Sequence, residues 1–319
     1  SNLRQAHVID SATVLPNPIG TAPGWLVRAE LHGKERVIVT LPGPPRELDR
    51  MWREEAKPRL ELPDSRLFVR TFKTLGAGES HVAERLGALT DQANPSVATY
   101  AKIDGVHVRV AAKGDDAAAA ERLAQPTLER VERLLEPWVW GQDQDDLPGL
   151  VLDELARRGE RLAVAEGLTG GLLTGMLSAA AQERAPAPER ESLAGSVIAW
   201  NAETMRTLGV PAELLERLPL GAAEVVAALA VAIRAFFTAE LGVAIGPRIA
   251  LAASSAAGAP GQGDEEPDEV KRLPTRVVVA VTRDVGTTVK SLELPALGQA
   301  WQRERTAVSS LNLLRLALR

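Results

Sequence analysis

The chain has 319 residues, of which 45% are hydrophobic and 3% are aromatic, with a net charge of −5 and no Cys. The missing Cys exclude a disulfide framework, and the acidic balance and scarce aromatics argue against direct nucleic-acid binding. No apolar segment is long enough to span a bilayer, and no signal segment precedes one, so we expect a cytoplasmic protein without membrane contact.

Residues 1–65 contain the first predicted strands. There is no initiator Met, and the chain starts at Ser1 in what reads as the middle of a domain. We predict a strand over 8–15, two strands that pair across Gly33 over 27–31 and 37–41, and a helix entered through 42–48. Because these apolar strands need cover on both faces, residues 1–65 either are a fragment of a longer domain, which we favour, or pack unusually. We expect them to be the least stable part of the chain.

Residues 66–136 predict a small α+β domain with β-α-β-β-α order. The predicted strands are 68–74, 97–101 and 106–112, with helices over 79–89 and 115–135. Asp104-Gly105 is a hairpin turn and Asp115 a helix N-cap in this interpretation. The Asp-rich residues 137–148 are predicted to be a linker, open to protease, before a C-terminal domain over 149–319.

The segment 161–175 carries the main candidate site. Residues 162–165 predict a buried strand, Thr169-Gly170-Gly171 a tight turn, and Leu172 the start of a helix. Such an arrangement forms an anion cradle of free N–H groups at the positive end of a helix dipole. A purely structural strand-to-helix turn is the alternative.

Four segments, at 139–147, 161–175, 195–201 and 208–217, together resemble the CinA family, whose C-terminal domain is a nicotinamide mononucleotide deamidase domain. The resemblance implies an α/β fold: a partial α/β segment similar to the molybdopterin-binding MoaB and MogA proteins, a small α+β connecting domain, and a C-terminal three-layer α/β domain. In that first segment it points to loop residues Asn17, Gly20, Thr21, Gly24, Gly43, Pro44 and Glu47. The family's pyrophosphatase motif, which would hold metal and diphosphate, has no match here, so we expect no metal and no cofactor.

The family's catalytic positions fall on residues that cannot perform its chemistry. Its Ala-Glu-Ser-x-Thr-Gly-Gly turn places Gly167 at the nucleophilic Ser, and its Tyr-Ser-Asn-x-x-Lys segment places Ala199 at the Tyr and Thr204 at the Lys. The only Tyr is Tyr100, and no His follows residue 107. The resemblance leaves five ligand-binding candidates and no catalytic residue: Thr169, Gly170, Gly171, Asn201 and Arg305.

We therefore expect a non-catalytic mononucleotide-binding protein, forming a homodimer, in the competence and DNA-damage role of the family, with RecA as a partner by family association only. The alternative is an active deamidase with a relocated nucleophile at Ser254 or Ser255, in the Gly-rich loop 253–267. In that loop, residues 264–266 are predicted to form a solvated acidic face.

Overall fold

The computed structural model describes residues 10–60, 65–184, 192–251 and 274–319. The chain forms two compact units, Ser1–Ser65 and Arg66–Arg319. The beginning of the first predicted strand, the Gly-rich loop with its acidic face, and Ser254 and Ser255 lie outside the described residues. In the described ranges, no helix is both long and apolar enough to cross a membrane.

The first unit is a three-stranded antiparallel sheet with one α-helix. Its strands β1 (Ala12–Leu15), β2 (Gly24–Leu31) and β3 (Lys34–Thr40) lie in that order, and α1 (Pro45–Met51) follows. The predicted hairpin is confirmed: Val27 pairs with Ile38, and His32 and Gly33 turn with φ of 54° and 70°. Among its described residues, 10–60 and 65, the core is small and contains four buried side chains: Leu15, Leu26, Met51 and Ala56.

Two of the predicted loop residues in this unit hold its loops together. The Asn17 amide donates to Glu47 Oε2 at 2.6 Å and to the Ala22 carbonyl at 2.9 Å, and its oxygen accepts from Gly20 N at 2.9 Å. Gly24 begins β2, whereas Thr21, Gly43 and Pro44 are exposed. Asn17 and Glu47 thus satisfy one another as a structural clamp.

The second unit begins with a small domain built on a four-stranded antiparallel sheet. Its elements are β4 (Arg66–Thr74), α2 (Glu79–Leu86), β5 (Ser96–Lys102), β6 (Gly105–Gly114), α3 (Ala117–Leu135) and β7 (Val139–Gln142). The strands lie in the order β5-β6-β4-β7. Val108, Val110, Leu128 and Val131 are in the core between sheet and helices. The β-α-β-β-α order agrees with the prediction.

Two local predictions in this domain are off by one residue. Lys102 pairs with Gly105, so the hairpin turn is Ile103-Asp104 rather than Asp104-Gly105. The N-cap of α3 is Asp116, whose side chain accepts from Ala119 N at 2.7 Å, rather than Asp115. Both adjacent Asp residues have a side chain suited to an N-cap, and the direction in which the chain enters the helix determines which of them caps it.

The linker predicted over 137–148 is wrong. It contains β7, which extends the sheet by pairing with β4, and Asp143 accepts from Thr71 N at 2.8 Å. Asp145 accepts from Gln142 N at 2.7 Å, and Asp146 caps the next helix through Gly149 N at 2.8 Å. The Asp residues are acceptors for backbone N–H groups, a role that composition does not distinguish from solvation.

The C-terminal part is a three-layer α/β domain. Its elements are α4 (Leu147–Arg158), β8 (Leu162–Glu166), α5 (Leu172–Glu183), β9 (Leu193–Ile198), α6 (Ala202–Leu208), α7 (Ala212–Arg217), α8 (Ala223–Phe236), β10 (Leu241–Ile245), β11 (Ile249–Ala250), β12 (Thr275–Arg283), β13 (Gly286–Leu294) and α9 (Gln299–Ala317). In the sheet, β8 pairs in parallel with β9 and with β10. Strand β12 pairs antiparallel with β10, with β13 and with the short β11.

Alternating residues of β8 create the two helical layers. Leu162 and Val164 pack towards α4, α5 and α9, whereas Ala163 and Ala165 pack towards α6 and α8. Every residue of β8 and of β10 is buried. A strand buried on both faces reads as a continuous apolar run, as predicted for 162–165.

We expect the first unit to open more readily than the C-terminal sheet. Its small core leaves Val37 and Ile38 of β3 exposed, whereas β8 and β10 are covered on both faces. Hydrogen exchange measured by mass spectrometry should show faster exchange in β2 and β3 than in β8 and β10. Equal protection of the two sheets would contradict this expectation.

Candidate functional site

The candidate site lies where the parallel strands β8 and β10 end and the chain turns into α5. Residues 167–171 form this turn, with Gly170 and Gly171 at φ of 56° and 92°. Side chains rarely adopt such positive φ values, so the turn favours glycine at both positions. The carboxyl ends of parallel strands at such a crossover are where α/β proteins commonly bind ligands.

The start of α5 is occupied by the chain's own carboxylate. Glu166, the last residue of β8, is 1% exposed. Its Oε2 accepts from Gly171 N at 3.0 Å and Leu173 N at 3.1 Å, and its Oε1 accepts from Thr174 N at 2.8 Å and Thr174 Oγ1 at 2.5 Å. The predicted cradle of free N–H groups is therefore wrong, because an internal anion already fills it.

Two further backbone amides in this segment also have partners within the turn. Gly170 N donates to the Gly167 carbonyl and Leu172 N to the Thr169 carbonyl, each at 3.2 Å. The Thr169 carbonyl also accepts from Arg303 Nε at 3.1 Å and Nη2 at 2.7 Å. The Thr169 side chain is fully buried, and its hydroxyl has no partner within the described part of the chain. Thr169 thus holds Arg303 and does not itself face a ligand.

Gly167 is packed against backbone, which leaves no room for a side chain. A Cβ at this position would lie 2.6 Å from the Gly246 carbonyl carbon and 2.6 Å from Pro247 N. Gly167 N also donates to the Ile245 carbonyl at 2.7 Å. Close backbone packing therefore favours glycine at position 167, which the family resemblance aligns with a nucleophilic Ser.

A cleft of about 410 Å³ opens beside this turn. Arg303 and Trp200 both flank Gly170: a Cβ there would lie 3.3 Å from Arg303 Nη2 and 3.9 Å from Trp200 Cζ3. Trp200 is 62% exposed, so much of its indole is accessible to solvent. The cleft is lined by the backbone of the turn and by side chains from three other segments: Gly167, Leu168, Gly170, Trp200, Pro247, Arg248, Gln299 and Arg303.

The structure separates the other predicted residues from the cleft lining. Asn201 is the N-cap of α6 and accepts from Thr204 N at 2.8 Å. Ala199 is buried and donates its N–H to the Glu166 carbonyl at 2.8 Å. Of the five ligand-binding candidates, only Gly170 lines the cleft.

Arg305 points away from the cleft and Arg303 takes its place. Arg305 Nη1 donates to the Ile103 carbonyl of the small domain at 2.8 Å. Two residues of an α-helix are turned by about 200°, so one face of α9 cannot present both side chains. The prediction of Arg305 at this site is wrong. The angular position of Arg303 around the helix, relative to Leu311 and Leu314, could have indicated Arg303 instead.

The lining side chains can bind but offer no nucleophile. They comprise two guanidinium groups, an amide, an indole and apolar groups, without hydroxyl, thiol, imidazole, amine or carboxylate in the described lining. No cluster of three or more His, Cys, Asp or Glu fit for a metal occurs in the described ranges. The arrangement suits an anion on the arginines and a planar ring on Trp200.

Comparison with known proteins identifies two family models. Residues 69–141 match the damage-inducible protein CinA KH domain, and residues 144–318 match the CinA C-terminal domain. A CinA-like protein of Deinococcus deserti is 43% identical over 244 residues, covering 76% of this chain and 57% of that protein. One from Deinococcus radiodurans is 51% identical over 177 residues, covering 56% of this chain and 43% of that protein. The chain thus spans about half the length of these curated relatives.

Among solved structures, the competence or damage-inducible protein from Enterobacter asburiae is 26% identical. The alignment covers 54% of this chain and 96% of that one, with a TM-score of 0.41.

We predict that Gly167→Ala destabilises the protein by ~1–3 kcal/mol, since the new Cβ meets backbone that must shift. Gly175→Ala is the matched control: its Cβ would be in open space on α5, and the change should stabilise by ~0.5–1 kcal/mol. Denaturant unfolding of both variants measures the difference. Equal effects of the two substitutions would refute the close backbone packing.

Glu166→Ala should cost ~3 kcal/mol or more, because it leaves several buried donors at the start of α5 without an acceptor. Formate supplies a carboxylate of the right size and should raise the thermal midpoint of this variant more than chloride does. Glu183→Gln, at the exposed end of the same helix, should change stability by less than ~0.5 kcal/mol. A Glu166→Ala protein as stable as the parent would show that the buried carboxylate is dispensable.

Proposed function

The chain belongs to the CinA family, and we propose that it binds a phosphate-bearing mononucleotide in the cleft beside Gly170 without hydrolysing the ligand's amide. The observation that carries this proposal is the composition of the cleft. Arg248 and Arg303 supply positive charge, and Trp200 supplies an exposed aromatic ring. The residue that the resemblance aligns with the family's nucleophile is Gly167, which is packed against backbone.

The arginines supply the anion recognition that the helix start no longer offers. Arg303 is held by two hydrogen bonds to the Thr169 carbonyl, so part of its conformational entropy is lost before a ligand arrives. Arg248 is exposed and has no hydrogen bond or ion pair among the described residues. Two charge-assisted contacts of ~1.5–3 kcal/mol each support micromolar-to-millimolar affinity for a phosphate monoester.

The loss of catalysis is supported by three positions together. Gly167 has no oxygen, Ala199 is buried and apolar, and Thr204 lies in the first turn of α6, where its N–H binds the cap. Groups that act as one catalytic set do not contribute additively, so losing all three removes on the order of 10⁶-fold in rate. The competence and DNA-damage role and a RecA partner stay predictions from the family resemblance.

Titration calorimetry with nicotinamide mononucleotide tests binding. We expect saturable binding by the parent protein, and a loss of about tenfold or more in affinity for Arg303→Gln and for Arg248→Gln. Trp200→Ala should also weaken binding, by about 1–3 kcal/mol, the cost of losing a stacked ring. Arg122→Gln, which removes an exposed charge from α3, is the control and should bind as the parent does. If all four variants bind with the affinity of the parent protein, the ligand does not bind in this cleft.

Ammonia release from nicotinamide mononucleotide tests the second half of the proposal. We expect none above background, and none after Gly167→Ser, because a serine Cβ does not fit and no base lies in the described lining. Turnover that disappears in Ser254→Ala or Ser255→Ala would instead establish the relocated nucleophile.

A further inference from the structure

A second crevice, of about 360 Å³, lies where the small domain meets the C-terminal domain. One wall is the face of α9 that carries Trp301, Arg305, Ser309 and Asn312, at helical spacing along a single stripe. The facing wall is β13 with Lys290, and the small domain closes one end with Leu75 and Gly76. This crevice shares no lining residue with the cleft beside Gly170.

Several side-chain hydrogen-bond donors in this crevice have few partners among the described residues. Arg305 makes one hydrogen bond, to the Ile103 carbonyl, and no ion pair with any described residue. The side chains of Lys290 and Ser309 have neither in the described ranges. The Asn312 side-chain oxygen accepts from Arg315 Nε at 3.1 Å and Nη2 at 2.9 Å, so the amide nitrogen is left to donate to another group. These donors fit a ligand that accepts hydrogen bonds.

Two carboxylates oppose this positive charge, and both have other partners. Glu293 pairs with Arg276 at 2.9 Å, and Asp104 lies 3.0 Å from His107 Nε2. Burial lowers the pKa of Arg305, and the charge of Asp104 acts in the opposite direction. The guanidinium therefore stays charged and half-buried, with N–H groups that lack a bidentate partner.

We infer that this crevice is an oxyanion-binding site for phosphate or a phosphate ester, held by Arg305 and Lys290 and separate from the nucleotide cleft. The polar stripe of α9 supplies Ser309 and Asn312 as neutral donors, and Trp301 forms the apolar side. Because Arg305 also binds the Ile103 carbonyl, the bound anion stabilises the contact between the small domain and the C-terminal domain.

The test uses inorganic phosphate on the full chain at constant ionic strength, with chloride as the balancing salt. We expect a saturable change in tryptophan fluorescence that Trp301→Phe removes. Arg305→Gln should weaken phosphate binding by about tenfold or more, and Lys290→Gln, an exposed strand position that does not threaten folding, by several-fold. Asp104→Asn removes a competing charge and should strengthen binding.

Arg303→Gln separates the two sites. It should leave the phosphate response of Trp301 intact while weakening mononucleotide binding in the other cleft, and Arg305→Gln should do the reverse. The inference is overturned if phosphate has no saturable effect beyond that of chloride, if Arg305→Gln and Lys290→Gln respond as the parent does, or if the response is lost in Arg303→Gln.

Discussion

The buried carboxylate of Glu166 is the interaction on which the rest of the site depends. An ionised carboxylate is expensive to bury, and the N–H groups at the start of α5, with the positive end of the helix dipole, compensate for that cost. The main chain of the same residue accepts from Ala199 N, which ties the end of β9 to the end of β8. One residue thereby positions both the Gly-rich turn and the segment that leads to Trp200.

This arrangement changes where an external anion can bind. In many nucleotide-binding proteins the helix start contacts the phosphate directly. Here the Glu166 carboxylate occupies the helix start, and the accessible positive charge comes from Arg303 on α9 and Arg248 after β10. Because the Thr169 carbonyl holds Arg303, the turn still controls the site, but through its C=O groups instead of its N–H groups.

Helix α9 connects both candidate sites. Arg303 faces the turn after β8, and Arg305 faces the hairpin tip of the small domain through the Ile103 carbonyl. Because α9 carries both side chains on opposite faces, a displacement of the helix along its axis would move both guanidinium groups together.

The sequence by itself determined the strand at 162–165, the glycines at 170 and 171 and the helix after them, because hydrophobic periodicity and positive φ are local properties. The family resemblance adds the prediction that Gly167 stands where relatives have a nucleophilic Ser. Only the tertiary structure decided which groups meet: Glu166 folding back onto its own helix, Arg303 in place of Arg305, and the Asp residues of 143–146 bound to backbone amides. These choices depend on contacts between residues up to 134 positions apart, which no local pattern encodes.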